Sequence, residues 1–529
     1  MHKESDAALN VYWGDTHHNT YQFGPQDPPL DRICEDASKY LDFYAAAYYT
    51  GEASAFKQGG HVTDTTERRQ VVVENCKSRE KLDKEWQEVQ ALMKAANRPG
   101  RFVTFPGYEW QGDGTCGDHN VFYRSEGPPV FRVCAVPDLY EKLRGLDAIA
   151  IPHHTGYRPG RRAPDWSRCD ERISPFTETF SKHGCSETDE EYIGLRNNSH
   201  MGPGAGGTTY ADALARGLHL GVICSTDNWN NVPGQYGEGL MACLASDLTR
   251  DSLWAAFLAR RVYGVSGDRI RLDFSVNDAP MGAIIGPAAK RRIRVAVRGS
   301  DALDRVEILR NNRVLATHCH QGTWTFPAPG QRAKFKFRAE LGWGPRPNEL
   351  SLPDRDWTAE LRLDRGRWLD WEPCWISRAH SVPKLDGGSA TFRMRTSLAE
   401  VLKPHQSANV FEFEASAETP LAVRVNGLED RGTVGSFAES SRVMWFKDEC
   451  AAMLKEKCGI DLAGELRQDP LYHMAYKAKL HRVIPERGYT ALCEIEDDEP
   501  LDGETHYRVR VEQRNGQRAW SSPVWIRAG

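Results

Sequence analysis

Short apolar runs alternate with helical patterns over residues 11 to about 270, and this alternation constrains the fold more than any other feature. The first runs are "NVYWGDTH" and "LDFYAAAYY", and the last is "LGVICSTDN". Between two of them, Leu82, Trp86 and Val89 follow the spacing of one helix face. Strands that alternate with helices form βα units, so the pattern predicts an α/β region with a parallel sheet or barrel.

The pattern changes after about residue 270. Segments such as "RRIRVAVRG" and "THYRVRVEQRNGQRAWSSPVWI" alternate apolar and polar residues around turn signals, which predicts an antiparallel β-sandwich. A chain of 529 residues is also too long for one ordinary hydrophobic core. We therefore predict a β/α barrel over residues 1–272 and a β-sandwich domain over 273–529, with an inserted or elaborated region at about 330–485.

Composition excludes several classes of partner. The net charge of −5 argues against nucleic-acid binding, which requires a basic face. No apolar stretch approaches the roughly 20 residues that cross a bilayer, so no membrane partner is expected. The 13 cysteines show no CxxC pairs, and the first residues show no apolar leader, so we expect free thiols and a cytoplasmic location.

Polar side chains follow several of the predicted strands, at the ends that form the active site of a parallel barrel. A single histidine in such a place is usually structural, but the recurrence at several strand ends favours a shared site. Imidazole and carboxylate together suit Zn, Mn, Fe or Ni more than Ca or Mg. The residues are His17, Asn19, Glu109, His119, His153, His154, Glu178 and Asp227.

An ordered series of motifs carries a family resemblance. It runs through "YWGDTHHNT", "LDFYAAAYYTGE", "GYEW" with "GDHNVFY", "IPHH", "FTETFSKHGCSE", "STDNW" and "AWSSPVWI". In this series the chain resembles the polymerase and histidinol phosphatase (PHP) superfamily of metal-dependent hydrolases, in a branch with a C-terminal β-sandwich. The resemblance implies a distorted seven-stranded β/α barrel whose mouth holds up to three divalent metals, with phosphoester hydrolysis as the default chemistry.

The chain departs from the family pattern at three metal positions. Asn19 stands where the first motif has its second histidine. Tyr49 stands in place of a histidine after the second strand, and Trp229 in place of the histidine of a D-x-H motif. The resemblance therefore implies that the third metal site is lost.

Two metal sites remain in this comparison. The nearly intact one uses Glu109 as a bridging carboxylate, together with His119 and His153. The second is weaker, because an amide oxygen replaces an imidazole. Its ligands are His17, Glu109 and Asp227, with the carbonyl oxygen of Asn19. We therefore predict one or two divalent transition metals, Zn, Mn or Fe.

The leading hypothesis is a metal-dependent, phosphoesterase-like hydrolase of a small molecule or saccharide. His154 would act as general acid or base, aided by Glu178. An anionic substrate group is expected, because arginines near the site suit carboxylate or phosphate. The predicted substrate contacts are Tyr48, Arg158, Arg161, His183, His200, Asn228 and Trp229.

Two alternatives stay open at this point. A carbohydrate-active lyase would use Tyr48 or Tyr49 with a nearby histidine to remove and return a proton. Which tyrosine faces the pocket is undecided, because a shift of one residue in a strand exchanges its two faces. The other alternative is a binding protein that kept the fold and lost the chemistry. An oligomer is compatible with the sequence.

Overall fold

The structure is a computed structural model that describes most of the chain. The described residues are 9–22, 24, 27–51, 77–113, 115–160, 162–190, 195, 204–229, 232–320, 324–344, 354–374, 380–396, 406–461, 472–473 and 475–529. They divide into two compact units. The first comprises Met1–Val297, Asp304–Cys319 and Ala491–Gly529, and the second Arg298–Leu303 and His320–Thr490.

The described helices are short, with one exception. They are α1 (Leu30–Ala37), α2 (Arg79–Ala96), α3 (Val136–Leu143), α4 (Tyr210–Ala215), α5 (Arg250–Leu258), α6 (Val434–Glu439), α7 (Lys447–Cys458) and α8 (Glu486–Tyr489). The longest, α2, begins where the Ser78 side chain accepts a hydrogen bond from the Lys81 amide. It buries the predicted apolar face, including Leu82, Trp86 and Val89, so this helix prediction is confirmed.

Strands make up most of the regular structure. The first group is β1 (Asn10–Thr20), β2 (Phe43–Tyr49), β3 (Val103–Phe105), β4 (Gly107–Trp110), β5 (Asp118–Tyr123), β6 (Ala148–His153), β7 (Phe176–Ser181), β8 (Gly184–Cys185), β9 (Gly221–Cys224), β10 (Leu240–Ala245), β11 (Val262–Val265), β12 (Arg271–Val276), β13 (Ala279–Pro280), β14 (Ile284–Ile285), β15 (Arg291–Arg298), β16 (Leu303–Arg310) and β17 (Arg313–Cys319). The second is β18 (Ala333–Trp343), β19 (Arg355–Leu363), β20 (Arg367–Cys374), β21 (Lys384–Asp386), β22 (Ser389–Thr396), β23 (Gln406–Ala415), β24 (Pro420–Val425), β25 (Leu428–Thr433), β26 (Arg442–Phe446), β27 (Tyr476–Leu480) and β28 (Ile484–Pro485). The last is β29 (Thr490–Asp497), β30 (Thr505–Gln513), β31 (Arg518–Ser521) and β32 (Val524–Ile526).

One large mixed sheet dominates the first unit, in the order β14-β32-β30-β31-β11-β10-β1-β2-β4-β5-β6. Strands β1, β2 and β4 run parallel to one another. The flanking pairs β11–β10, β10–β1, β4–β5 and β5–β6 are antiparallel. Strands β7, β8 and β9 form a separate three-stranded sheet. The candidate site lies where residues from both sheets meet.

The prediction of a distorted seven-stranded β/α barrel is wrong. Within the described ranges the strands form open sheets, and no ring of seven hydrogen-bonded strands closes. The reason is visible between β4 and β5, where only residues 111–117 connect the two strands. A parallel pair needs a crossover of about a dozen residues or more, so a connection of this length produces an antiparallel pair instead.

The large sheet is covered on one face by apolar side chains and α5. Phe43 of β2, Phe105 of β3 and Phe122 of β5 pack with Trp254 and Phe257 of this helix in one buried cluster. The aromatic rings of Phe105, Phe122 and Phe257 lie with centroids 5.8–5.9 Å apart, in the tilted or edge-on geometries that aromatic pairs prefer. This core leaves the polar ends of the strands free to form the site.

The second unit contains two sheets, with the orders β20-β23-β18-β27-β26 and β21-β22-β19-β24-β25. Neighbouring strands are antiparallel, as in β18–β23 and β19–β22. Buried residues of both sheets, including Phe335, Trp357 and Phe411, belong to one hydrophobic cluster. This unit therefore has an antiparallel, sandwich-like character. It corresponds mainly to the region at about 330–485 that the sequence analysis treats as an insertion or elaboration, and the predicted domain bounds stay a prediction.

Two further observations bear on the expectations from composition. Among the described helices, none is long and apolar enough to cross a membrane. The 11 described cysteines are all free thiols. The free thiols agree with the prediction from cysteine spacing, and the cytoplasmic location stays a prediction.

Candidate metal site

His17 lies near the end of β1 and is completely buried. Its Nδ1–H donates a hydrogen bond of 2.9 Å to Oε2 of Glu178, on β7. Its Nε2 lies 3.4 Å from Oδ1 of Asp227 and has no hydrogen-bond partner among the described residues. The register of β1 against β2 shifts between Asp15 and His18, and such bulges re-aim side chains beside functional sites.

Asp15 joins the end of β1 to the segment that carries Asp227. Its carboxylate accepts hydrogen bonds from the backbone of His17 at 3.0 Å and of Gly234 at 2.8 Å. The Thr226 hydroxyl donates a third bond to it at 2.6 Å. A buried carboxylate with this many donors fixes the backbone around it. Asp15 therefore positions the site, a role that the sequence analysis did not assign.

Glu109 of β4 and His153 at the end of β6 face each other across the antiparallel strands. His153 Nε2 lies 3.8 Å from Glu109 Oε1, and the rings of His17 and His153 have centroids 4.4 Å apart. Both nitrogens of His153 and Oε2 of Glu109 are buried without a hydrogen-bond partner in the described part of the chain. A buried polar atom left unpaired costs about 1–3 kcal/mol, so several in one place call for a common partner.

Buried potential ligands form four overlapping groups, and within each group the ligand atoms lie within 4.8 Å of one another. They are His17 with Glu109 and His153, His17 with Glu178 and Asp227, His154 with His183 and Asp227, and Asp118 with His153 and His154. Imidazole and carboxylate ligands of this kind fit Zn, Mn or Fe. The hydrogen bond from His17 to Glu178 matches the carboxylate–histidine–metal arrangement, which holds one ring nitrogen and leaves the other for the metal.

The charges of the site favour a cation. Burial opposes the protonated form of His17, but the carboxylates of Asp227 and Glu178 outweigh it and raise the pKa of His17 to about 10. Burial raises the pKa of Glu178, although His17 counteracts this. Burial also acts to raise the pKa of Asp227, yet His17 and His183 hold it well below its usual range. The carboxylates thus require a positive charge, which a proton or a metal ion can supply.

The side chains of His119 and Tyr48 lie on the faces of their strands that point away from the ligand groups. Asp118 points toward His153, so its neighbour His119 points the other way and shares a hydrogen bond of 3.1 Å with Tyr140 of α3. Burial and the nearby His153 lower the pKa of His119 to about 3. The Tyr48 hydroxyl donates to Glu85 of α2 at 2.8 Å. Neither side chain belongs to the four ligand groups.

Tyr49 is the tyrosine on the site side, because it pairs in register with Glu109. Gln111 Nε2 donates to the Tyr49 hydroxyl at 2.8 Å and to Glu109 Oε1 at 2.9 Å. Burial raises the pKa of Tyr49 well above its usual value, and the carboxylate of Glu109 adds to the effect. The phenol is therefore held neutral beside Glu109.

The remaining predicted contacts lie around Asp227. The backbone N–H of Asn19 donates a hydrogen bond of 2.7 Å to the backbone carbonyl of Asn228. The side-chain Oδ1 of Asn19 is buried with no hydrogen-bond partner in the described ranges. Asn228 Nδ2 donates to Glu238 at 2.8 Å. The ammonium group of Lys182 lies over the Trp229 ring.

Among the predicted histidines and arginines of the loops, His183 and His154 lie beside Asp227 and Arg158 does not share their burial. His183 Nε2 lies 2.9 Å and His154 Nδ1 3.8 Å from Oδ2 of Asp227. Arg158 is exposed, and Arg161 and His200 lie outside the described residues.

Asp118 and Lys182 lie near the site and are not among the contacts predicted from the sequence, whereas Arg162 belongs to the loop whose arginines suit an anionic substrate. Asp118 accepts two hydrogen bonds from Arg162, at 2.9 and 3.1 Å. Lys182 lies in the turn between β7 and β8, where burial lowers its pKa to about 8. Strand alternation could have identified Asp118, because the two residues of "DH" at the start of β5 must face opposite ways.

Comparisons with known proteins give partial matches. The family model described as "Protein of unknown function (DUF3604)" matches residues 31–153, which include Glu109 and His153 but not His17 or Asp227. An uncharacterized protein of Chlamydia pneumoniae is 26% identical over 255 residues, which are 44% of this chain and 40% of that protein. An uncharacterized protein of Chlamydia trachomatis serovar D is 28% identical over 199 residues, 34% of this chain and 31% of that protein. The matched stretch thus spans less than half of these relatives.

One solved structure is also similar. It is a two-domain protein of Bacteroides vulgatus, described as containing a predicted PHP-like metal-dependent phosphoesterase. The match has a TM-score of 0.33 and 9% identity, and it covers 57% of this chain and 79% of that one. A score this low supports no conclusion about fold or function.

Proposed function

We propose that the protein is a metal-dependent, phosphoesterase-like hydrolase whose ion is bound by His17, Glu109, His153 and Asp227. The observation that carries this proposal is the convergence of buried ligand atoms without hydrogen-bond partners among the described residues. They are Nε2 of His17, both ring nitrogens of His153 and Oε2 of Glu109. One ligand atom from each of His17, Glu109 and His153 lies within 4.8 Å of the other two, and His17 Nε2 lies 3.4 Å from Oδ1 of Asp227, which suits one transition-metal ion.

Other side chains fix the orientation of these ligands. A divalent ion in this place would polarise the scissile group and lower the pKa of a bound water toward neutrality. Glu178 holds the ring of His17, and Gln111 holds the carboxylate of Glu109. Asp15 keeps Asp227 beside His17 through the Thr226 and Gly234 bonds. The site is therefore preorganised by hydrogen bonds that do not involve the ion.

The surroundings favour an anionic substrate. Arg162 is held by Asp118, and its side chain remains 27% exposed. Lys182 supplies a second cation beside Trp229. Guanidinium and ammonium groups bind phosphate or carboxylate oxygens. We propose a phosphoester of a small molecule or saccharide, and no nucleic-acid or membrane partner.

The lyase alternative is less favoured. Its base would be a tyrosine that loses its proton easily, whereas burial and Glu109 raise the pKa of Tyr49 well above the usual value. The Tyr49 hydroxyl is also engaged by Gln111. Tyr49→Phe tests this point, because a lyase would lose its turnover and a hydrolase would retain most of it.

The proposal is tested by hydrolysis of p-nitrophenyl phosphate with and without a chelator. We expect chelation to abolish turnover, Zn²⁺ or Mn²⁺ to restore it, and Glu109→Gln to reduce it by roughly 100-fold or more. His119→Gln is the matched control, since its ring is bound to Tyr140. Turnover that resists chelation and survives Glu109→Gln would refute the proposal.

A further inference from the structure

A second cluster of ligands lies on the other side of Asp227. The outer cluster, as we call it, consists of His154, His183 and Asp227, and all three side chains are buried. His183 Nε2 is 2.9 Å and His154 Nδ1 is 3.8 Å from Oδ2 of Asp227. The two imidazole rings have centroids 5.3 Å apart and planes at 77°. Two imidazoles and one carboxylate are the three protein ligands of a common type of catalytic zinc site, in which a water or substrate takes the fourth position.

Three separate elements bring these residues together. His154 follows β6 with a φ of 56°, and Asp227 follows β9 with a φ of 50°. Both are left-handed backbone conformations, which cost non-glycine residues free energy and cluster at functional sites. His183 occupies the turn between β7 and β8. The chain thus turns sharply at two strand ends to direct His154 and Asp227 inward.

The carboxylate of Asp227 is shared between the two clusters. Its Oδ1 lies 3.4 Å from His17 Nε2, on the side of Glu109 and His153, whereas its Oδ2 faces His183 and His154. Of the consecutive residues His153 and His154, the first groups with His17 and Glu109 and the second with His183 and Asp227, and both also group with Asp118. A carboxylate with one oxygen on each side can bridge two ions about 3.5–4 Å apart, as in two-metal hydrolases.

A neighbouring hydroxyl points to a ligand at the outer cluster. Tyr157 is buried, and its ring centroid lies 5.9 Å from that of His154. Its hydroxyl oxygen has no hydrogen-bond partner among the described residues. The Asp227 carboxylate is close enough to contribute to the raised pKa of Tyr157, after burial itself. A buried hydroxyl left unpaired here could bond a water or substrate oxygen.

We infer that the outer cluster binds a second divalent transition-metal ion, with Asp227 as the carboxylate shared by both ions. This inference deepens the proposed function and rests on it. It differs from the second site expected from sequence, because His183 and His154 take part with Asp227 in place of His17, Glu109 and Asn19. The turn residue His183 is its distinguishing ligand.

The test is the number of Co²⁺ or Zn²⁺ ions bound per chain, measured by elemental analysis after dialysis. We expect about two for the wild type and about one for His183→Asn. His154→Asn is a second variant that gives about one, and asparagine tolerates the left-handed backbone at that position. Glu109→Gln should also retain about one, at the outer cluster, and His119→Gln about two.

The outcomes separate the two proposals. A wild type with one ion that His183→Asn and His154→Asn both retain would overturn the outer site and leave the proposed function intact. Two ions retained in both variants would overturn the assignment of these ligands. No ion in the wild type, even after reconstitution, would overturn both proposals. Circular dichroism of each variant verifies that it is folded.

Discussion

At the scale of the residue, the site depends on side chains that hold the ligands as well as on the ligands. Glu178 fixes His17 through a 2.9 Å bond and leaves the other ring nitrogen facing Asp227. We expect Glu178→Gln to weaken metal affinity by roughly 10–100-fold without abolishing binding. Titration against a competing chelator measures this change.

Glu171→Gln is the matched control for that prediction. Glu171 also bonds a histidine ring, that of His219 at 3.2 Å, but it belongs to none of the four ligand groups. Its substitution should leave metal affinity unchanged. Equal affinity in Glu178→Gln and Glu171→Gln would contradict the positioning role of Glu178.

A second prediction at this scale concerns acid stability. Burial acts to raise the pKa of Glu187, but Arg508 and Arg510 outweigh it and lower that pKa to about 2. A depressed folded-state pKa means that the ion pairs stabilise the fold above the unfolded-state pKa of about 4.3. This stabilisation is lost as the pH falls from there toward 2.

Glu187→Gln measures that contribution. Breaking a fully buried ion pair costs about 3–5 kcal/mol, so the variant should unfold at lower urea concentration at pH 7. Its free energy of unfolding should also fall less steeply than that of the wild type between pH 4.3 and 2. A parallel decline of the two proteins over this window would contradict the prediction.

At the scale of the element, strand packing positions the ligands, and the close approach of neighbouring backbone to Gly107 of β4 is an example. A Cβ atom here would lie 2.5 Å from the Ala46 carbonyl oxygen and 2.8 Å from that of Val121. Gly107→Ala should therefore push β4 away from its neighbours, at a cost of about 1–3 kcal/mol, and reduce the metal content through Glu109. Gly286→Ala is the control, because no described atom lies within 4 Å of its added Cβ.

The elements also show what the sequence could predict. The apolar spacing of α2 predicted its buried face, because that signal is local. Strand pairing is not local, so the sequence pattern predicts parallel strands in this region, whereas the strands that carry Glu109 and His119 form an antiparallel pair. The same limit applies to β5, because its pairing with β6 decides whether Asp118 or His119 faces His153.

At the scale of the whole molecule, metal binding should be coupled to stability. An ion that binds only the folded chain adds about 2.7 kcal/mol when its concentration is 100 times Kd. Zn²⁺ should therefore raise the midpoint of thermal unfolding of the wild type, and a chelator should reverse the change. The shift should shrink in Glu109→Gln, and an identical shift in both proteins would indicate nonspecific binding.

The grouping of His17, Glu109, His153 and Asp227 was the part of the site most accessible to sequence reasoning. Each residue follows or ends an apolar run. This pattern predicts a shared site whether the strands are parallel or antiparallel, because strand ends of either direction can meet at one edge of a sheet. The bonds from Asp15 to Thr226 and Gly234 were not predictable, because they join segments about 200 residues apart.

The most direct test of the central claim is elemental analysis of the protein purified without added metal or chelator, for the wild type and for Glu109→Gln. The account predicts at least one equivalent of a transition metal in the wild type, with a clear loss in the variant. Equal metal content in both proteins, or no metal in the wild type even after reconstitution, would contradict it.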